Sequence, residues 1–71
     1  MTGQRIPARE LYSVVEAMTL LSLSRTTIYE EFRAGRLESV HRGRTRLVPA
    51  VAIADYVALL RRETAALGKA S

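Results

Sequence analysis

Three arginines occupy alternate positions in the segment HRGRTRLVP, residues 41 to 49. They are Arg42, Arg44 and Arg46, with Gly43 in the first gap and no acidic residue among them. Like charges at this spacing repel one another unless an anion lies nearby, and the planar guanidinium fork fits phosphate oxygens. The segment therefore indicates a surface that binds a polyanion, with a run of solvated charge as the alternative.

A second group of polar side chains lies on a short predicted helix that begins at Arg25. Arginine can donate two hydrogen bonds to guanine, and threonine can contact a thymine methyl group or a phosphate. Tyr29 belongs either to the core or to a phosphate contact through its hydroxyl, and ordinary first-turn hydrogen bonding is the alternative for the threonines. The predicted DNA contacts are Arg25, Thr26, Thr27, Tyr29, Arg33, Arg42, Arg44 and Arg46.

Catalysis is not expected. His41 is the only histidine, cysteine is absent, and no Gly-rich phosphate loop, carboxylate pair or nucleophile elbow is present. A lone histidine without cysteine or a second histidine is a poor metal ligand. The sequence therefore predicts a protein that is not an enzyme, with no disulfide, metal or cofactor.

Size and charge narrow the class of partner. A chain of 71 residues forms one domain at most and buries only about 60% of its unfolded surface, which argues against a deep pocket. The net charge is +4, and residues 25 to 46 hold six arginines against three glutamates. Such an excess favours nucleic acid or an anionic surface. With no signal-peptide pattern and no membrane-length apolar run, we expect a cytoplasmic protein that does not enter the membrane.

The first part of the chain predicts two helices joined by a tight corner. Residues 1 to 10 read as a flexible arm. The segment Ser13 to Glu16 fits a capping box, after which an apolar stripe follows helical spacing. Residues 22 to 24 form the corner, Ser24 caps the second helix, and Gly35 ends it in the left-handed conformation. The predicted apolar positions are Val14, Ala17, Met18 and Leu21 on the first helix and Ile28 and Phe32 on the second.

The second part predicts a β-hairpin and a long third helix. Residues 37 to 48 suit a hairpin with Gly43 in its turn. A two-residue turn pairs Val40 with Leu47 and His41 with Arg46, whereas a longer turn shifts the register. Pro49 is expected at the first helical position. The stripe of the third helix is Ile53, Tyr56, Val57, Leu60 and Leu67, which either covers the core or leaves Leu59, Leu60 and Leu67 for a partner.

These elements predict a mainly α fold with a small β-hairpin, that is, three helices plus a two-stranded wing. We expect the folded domain over residues 11 to 67, with a tail over 68 to 71. Two helices joined by three residues are typical of a helix-turn-helix, and an arginine-rich hairpin after it is typical of a DNA-binding wing.

The stretch from Leu11 to about Leu60 resembles the excisionase (Xis) family of small winged helix-turn-helix proteins, whose DNA-binding domain is similar to that of MerR-type regulators. The resemblance lies in Val14-x-Glu16-Ala17, Leu20-Leu21, Ser24-Arg25-x-Thr27-Ile28-Tyr29, Gly35-x-Leu37, and Gly43-Arg44 followed by Val48-Pro49.

The resemblance implies a bacterial or phage-encoded recombination directionality factor. Such a protein binds double-stranded DNA at repeated attachment sites, associates cooperatively with itself there, bends the DNA, and promotes integrase-mediated excision of a phage or integrative element. A small transcriptional regulator with the same fold is the alternative, and a module that binds an acidic protein is a third.

Three glutamates depart from the family pattern. Glu30 and Glu31 stand where relatives often carry a basic and an apolar residue, and Glu38 stands where a proline is frequent. Glu30 either pairs with Arg33 or Arg25, or accepts a hydrogen bond from cytosine in the major groove.

Overall fold

The computed structural model describes residues 10 to 70. Apart from Glu10, the predicted flexible arm lies outside the described residues. The elements follow the order β1, α1, α2, β2, β3, α3. Their bounds are β1 Leu11–Ser13, α1 Val14–Leu21, α2 Arg25–Ala34, β2 Val40–Arg42, β3 Thr45–Pro49 and α3 Ala50–Ala70.

Helix α1 begins at the predicted capping box. The Glu16 amide donates to the Ser13 hydroxyl over 3.0 Å, and the Ser13 amide donates to the Glu16 carboxylate over 2.8 Å. Two amides that have no partner within the helix are thereby satisfied. The apolar stripe faces the core as predicted, with Val14 and Ala17 buried.

Helix α2 follows a corner of three residues. Ser22 closes α1 in the left-handed conformation with φ 57°, and Ser24 caps α2 by accepting from the Thr27 amide over 3.1 Å. Gly35 ends α2 with φ 76°. Ile28 is fully buried and Phe32 packs against the core, so the predicted helix-turn-helix and its apolar edge are confirmed.

The hairpin adopts the register of a two-residue turn. Val40 pairs with Leu47 and His41 with Arg46. Gly43 has φ 62° while Arg44 has a negative φ, the pattern of a turn that demands glycine only at its first central position. The predicted wing is therefore confirmed, and of the two registers considered from the sequence the hairpin adopts the one with a two-residue turn.

A third strand was not predicted from the sequence. β1 pairs antiparallel with β3, so the sheet has the order β1, β3, β2, with β3 at its centre. The pairing joins the chain before α1 to the strand that leads into α3. The wing is consequently anchored to the helical body through the second part of β3, Leu47 to Pro49.

The predicted position of Pro49 was wrong by one residue. Pro49 is the last residue of β3, paired with Leu11, and α3 begins at Ala50. The Ala50 amide donates to the Glu10 carbonyl over 2.8 Å, which continues the ladder past the proline that has no amide.

Helix α3 covers the core with its first half. Ala52 and Tyr56 are buried, and Ile53 and Leu60 pack against the core. Two residues of the predicted apolar stripe are not buried in the core, since Val57 is 40% exposed and Leu67 is 71% exposed. Val57 follows the buried Tyr56, and one residue turns a helix by about 100°, which carries the side chain off the core face.

The fold class expected from the sequence is confirmed. Three helices surround a small core completed by Leu37 and Val48, which are fully buried at the base of the wing. The core thus includes residues of both the helical body and the hairpin. Its packing fixes the position of the wing relative to α1 and α2.

Candidate nucleic-acid interface

The outer face of α2 is formed by Thr26, Glu30 and Arg33, which are all exposed. Their spacing of i, i+4 and i+7 places them within about 60° of one another around the helix axis. Ile28 is buried on the opposite side. This stripe is therefore the part of α2 farthest from the core, which suits a helix that enters a groove.

The wing tip presents two exposed arginines on either side of the turn glycine. Arg42 is the last residue of β2, and Arg44 is the second turn residue. Neither guanidinium is within salt-bridge distance of a carboxylate in the part of the chain that the structure describes. Both positive charges are consequently available to an anion in solvent.

Arg46 connects the wing to α2. Its guanidinium lies over the Phe32 ring, 4.8 Å from the ring centroid, and 5.5 Å from the Tyr29 centroid. One Nη atom donates to the Ser39 hydroxyl over 2.7 Å. A cation held over two aromatic faces is attracted by their quadrupoles, so Arg46 fixes the hairpin against α2.

This contact determines which side of α2 the wing occupies. Measured around α2 from Thr26, Tyr29 lies about 60° away and Phe32 about 120° away in the same direction, whereas Ile28 lies about 160° away. The base of the wing thus lies beside the outer face rather than behind it. The wing tip and the outer face can therefore meet one ligand together.

The other predicted contacts occupy the first turns of α2. Arg25 is exposed at the first helical position. Thr27 is half-buried, and its hydroxyl accepts from the Ser24 hydroxyl over 3.0 Å, which is the first-turn role considered as its alternative. Tyr29 is half-buried and meets Phe32 edge to face, with ring centroids 5.3 Å apart. Its ring thus supports Arg46 and belongs partly to the core.

A polar network that joins α2 to α3 was not predicted. The Glu31 carboxylate accepts from the Arg36 Nε over 3.0 Å and from the Tyr56 hydroxyl over 2.5 Å. Arg36 also donates both Nη groups to Glu63, over 2.6 and 2.9 Å. Glu31 and Arg36 are thereby withdrawn from the charges that face solvent around α2.

The network shifts the pKa values of its members. Burial, together with the hydrogen bond to Glu31, raises the pKa of Tyr56 to about 12. The hydrogen bonds from Arg36 lower the pKa of Glu63, and those to Glu63 and Glu31 raise the pKa of Arg36. At neutral pH, Tyr56 is therefore neutral, and its hydroxyl donates to Glu31.

Glu30 differs from its neighbour. It makes no ion pair with Arg25 or Arg33 and no side-chain hydrogen bond to any residue that the structure describes. The pairing proposed for it from the sequence is therefore absent from the fold.

Within residues 10 to 70, no helix has the length and apolar character needed to cross a membrane. The same part of the chain contains no group of three or more acidic or histidine side chains that could hold a metal ion. His41 is exposed on β2.

Comparison with known proteins identifies the family. A family model described as a helix-turn-helix domain matches residues 11–58, which include both helices, the corner and the wing. The chain belongs to this helix-turn-helix family. The helix-turn-helix protein is also 44% identical over 65 residues to a probable excisionase of Saccharopolyspora erythraea. That alignment covers 90% of the chain and 66% of the relative.

The similarity confirms the resemblance to excisionases that the sequence motifs indicated. No solved structure shows a significant match to this helix-turn-helix protein.

Proposed function

We propose that the protein is an excisionase that binds duplex DNA through the outer face of α2 and the wing tip. DNA binding is supported by four exposed arginines, on α2 and at the wing tip, that have no carboxylate partner among the described residues: Arg25, Arg33, Arg42 and Arg44. The proposal of excision rests on the similarity to the probable excisionase.

In this proposal the two elements have different tasks. Helix α2 lies in the major groove, where Arg25, Thr26 and Arg33 face the base edges and adjoining phosphates. Arg42 and Arg44 follow the phosphate backbone or enter the neighbouring minor groove, which attracts arginine where it narrows at A·T steps. Arg46, Tyr29 and Thr27 hold this surface in shape, and Arg46 adds positive charge at the junction.

Binding of two grooves by one rigid module supplies the means to bend DNA. The base of the wing is fixed to α2 by Arg46 and to the body by β1, so DNA must adapt to the protein rather than the reverse. Several copies side by side on an attachment region would bend it in phase and bring integrase-bound segments together. The protein performs no chemistry itself in this scheme, and its place is the bacterial cytoplasm where the element resides.

A transcriptional regulator is the second candidate, because the matching family model describes a helix-turn-helix domain alone. The two functions separate in a reconstituted excision reaction with the cognate integrase. We expect the wild-type protein to stimulate excision and an Arg42→Ala, Arg44→Ala double variant to lose that stimulation. Specific DNA binding without any stimulation of excision would favour the regulator.

A further inference from the structure

We propose that Glu30 reads a cytosine in the major groove and so determines part of the sequence preference. This inference rests on the proposed DNA-binding function. It arises from a carboxylate in the middle of the outer face of α2, a position where negative charge opposes binding to phosphates.

The three glutamates near the interface have different environments. Glu31 is bound to Arg36 and Tyr56. Glu38 is exposed in the loop between α2 and β2. Only Glu30 stands on the stripe with Thr26 and Arg33, and its carboxylate has no hydrogen bond to the described part of the chain.

An unpaired carboxylate on such a face has two possible effects on binding. Facing phosphates, it repels them and weakens binding to every sequence equally. Facing base edges, it can accept a hydrogen bond from the N4 amino group of cytosine, the one base whose major-groove edge offers a donor without a neighbouring acceptor on the same base.

Geometry favours the second effect. Thr26, Glu30 and Arg33 lie farthest from the core, and on a helix inserted into the groove the outermost residues are the ones that reach base edges. Arg33, one turn from Glu30, can donate to the O6 and N7 atoms of guanine. Glu30 and Arg33 lie one helical turn apart, so they can contact a cytosine and a guanine, respectively, in neighbouring base pairs of one site.

The test compares variants with the same change of charge. Wild-type protein, Glu30→Ala and Glu38→Ala are each used to select binding sites from a random duplex library, with circular dichroism to confirm that each variant is folded. We expect a wild-type site with cytosine preferred about tenfold at one position. Glu30→Ala should lose that preference alone, and Glu38→Ala should keep it.

Replacement of Glu30 by glutamine should create a new base preference. Glutamine can donate to N7 and accept from N6 of adenine, so Glu30→Gln should raise the acceptance of adenine several-fold at the position that Glu30 governs.

Two results would overturn the inference, and they are distinguishable. If Glu30→Ala and Glu30→Gln select the wild-type site, and Glu30→Ala binds all DNA more tightly to the same extent as Glu38→Ala, Glu30 contributes only charge and the proposed function stands. If the wild-type protein selects no site at all, sequence-specific DNA binding fails as well.

Discussion

At the scale of single residues, the three arginines of the wing, Arg42, Arg44 and Arg46, have different environments. Arg42 and Arg44 are exposed at the wing tip, whereas Arg46 is held over Phe32 and Tyr29 and donates to Ser39. Arg46 shares a face of β3 with the buried Val48, whereas Arg42 pairs with Thr45 on the other face and Arg44 lies in the turn, outside the strand. The sequence alone predicted that all three arginines follow a phosphate backbone or enter an adjoining minor groove. It could not separate them, because the side on which each strand packs depends on residues far away in the chain.

Arg44→Ala should weaken binding to all DNA sequences alike. With about five phosphates neutralised, the slope of log K against log salt is expected near −4.5, and the variant should reduce its magnitude by about one. Fluorescence anisotropy over a salt series measures both quantities. Arg61→Ala, which removes an exposed arginine from α3, is the matched control and should leave the slope unchanged. An unaltered slope for Arg44→Ala would remove the wing tip from the interface.

Arg33→Ala should act on sequence preference instead. We expect discrimination at one base position to fall by about 1 to 3 kcal/mol, while affinity for unrelated DNA changes little beyond the loss of one charge. Competition with singly substituted duplexes gives the preference at each position. Arg25→Ala tests the first turn of α2 in the same way. Equal losses on every duplex would contradict base reading by that arginine.

At the scale of elements, sequence patterns were informative where the signal is local. The capping box of α1, the Ser24 cap, Gly35 and the turn at Gly43 all involve residues within a few positions of one another, so their chemistry is visible in the sequence. Strand β1 has only three residues and is defined by its distant partner β3. The Glu31 network joins Glu31 to Tyr56 and Arg36 to Glu63, pairs that are separated by 25 and 27 positions in the chain. No periodicity in the sequence indicates such pairs.

Substitutions at the two helix ends that adopt the left-handed conformation should change the stability of the protein in opposite directions. Ser22 adopts φ 57° and Gly35 adopts φ 76°, and an L side chain in this region costs about 1 kcal/mol relative to glycine. Ser22→Gly should therefore stabilise the protein by about 0.5 to 1 kcal/mol, and Gly35→Ala should destabilise it by about 1 kcal/mol. Urea unfolding monitored by circular dichroism measures both. Changes of the same sign would contradict the cap geometry.

At the scale of the whole molecule, two contacts keep the DNA-facing elements in place. Arg46 joins the wing to α2, and Tyr56 with Glu63 joins α2 and the following loop to α3. Both contacts are additional to the core that packs Leu37 and Val48 against the helices. Loss of either contact should therefore affect DNA binding without removing a DNA contact directly.

Tyr56→Phe tests the network through its pH dependence. The pKa of Tyr56 is raised to about 12 in the folded state from an ordinary value near 10. The folded state thus holds the proton more tightly, so the stabilisation is complete below about pH 10 and is lost as the pH rises toward 12. At pH 7 the variant should lose about 1.5 kcal/mol of stability.

The difference in unfolding free energy between wild type and Tyr56→Phe should accordingly shrink between pH 10 and 12. Chemical unfolding at several alkaline pH values measures this difference. A constant difference across that range would show that the hydroxyl contributes nothing through its proton.

The central claim is that the outer face of α2 and the wing tip meet the same duplex, and an NMR titration tests it most directly. Labelled protein is titrated with a duplex chosen by in vitro selection, and amide shifts are followed for each residue. We predict shifts in parallel for Thr26, Glu30 and Arg33 and for Arg42 to Arg44, with the exposed α1 residues Val15 and Leu20 unaffected. Shifts confined to one of the two elements, or centred on α1, would contradict the claim.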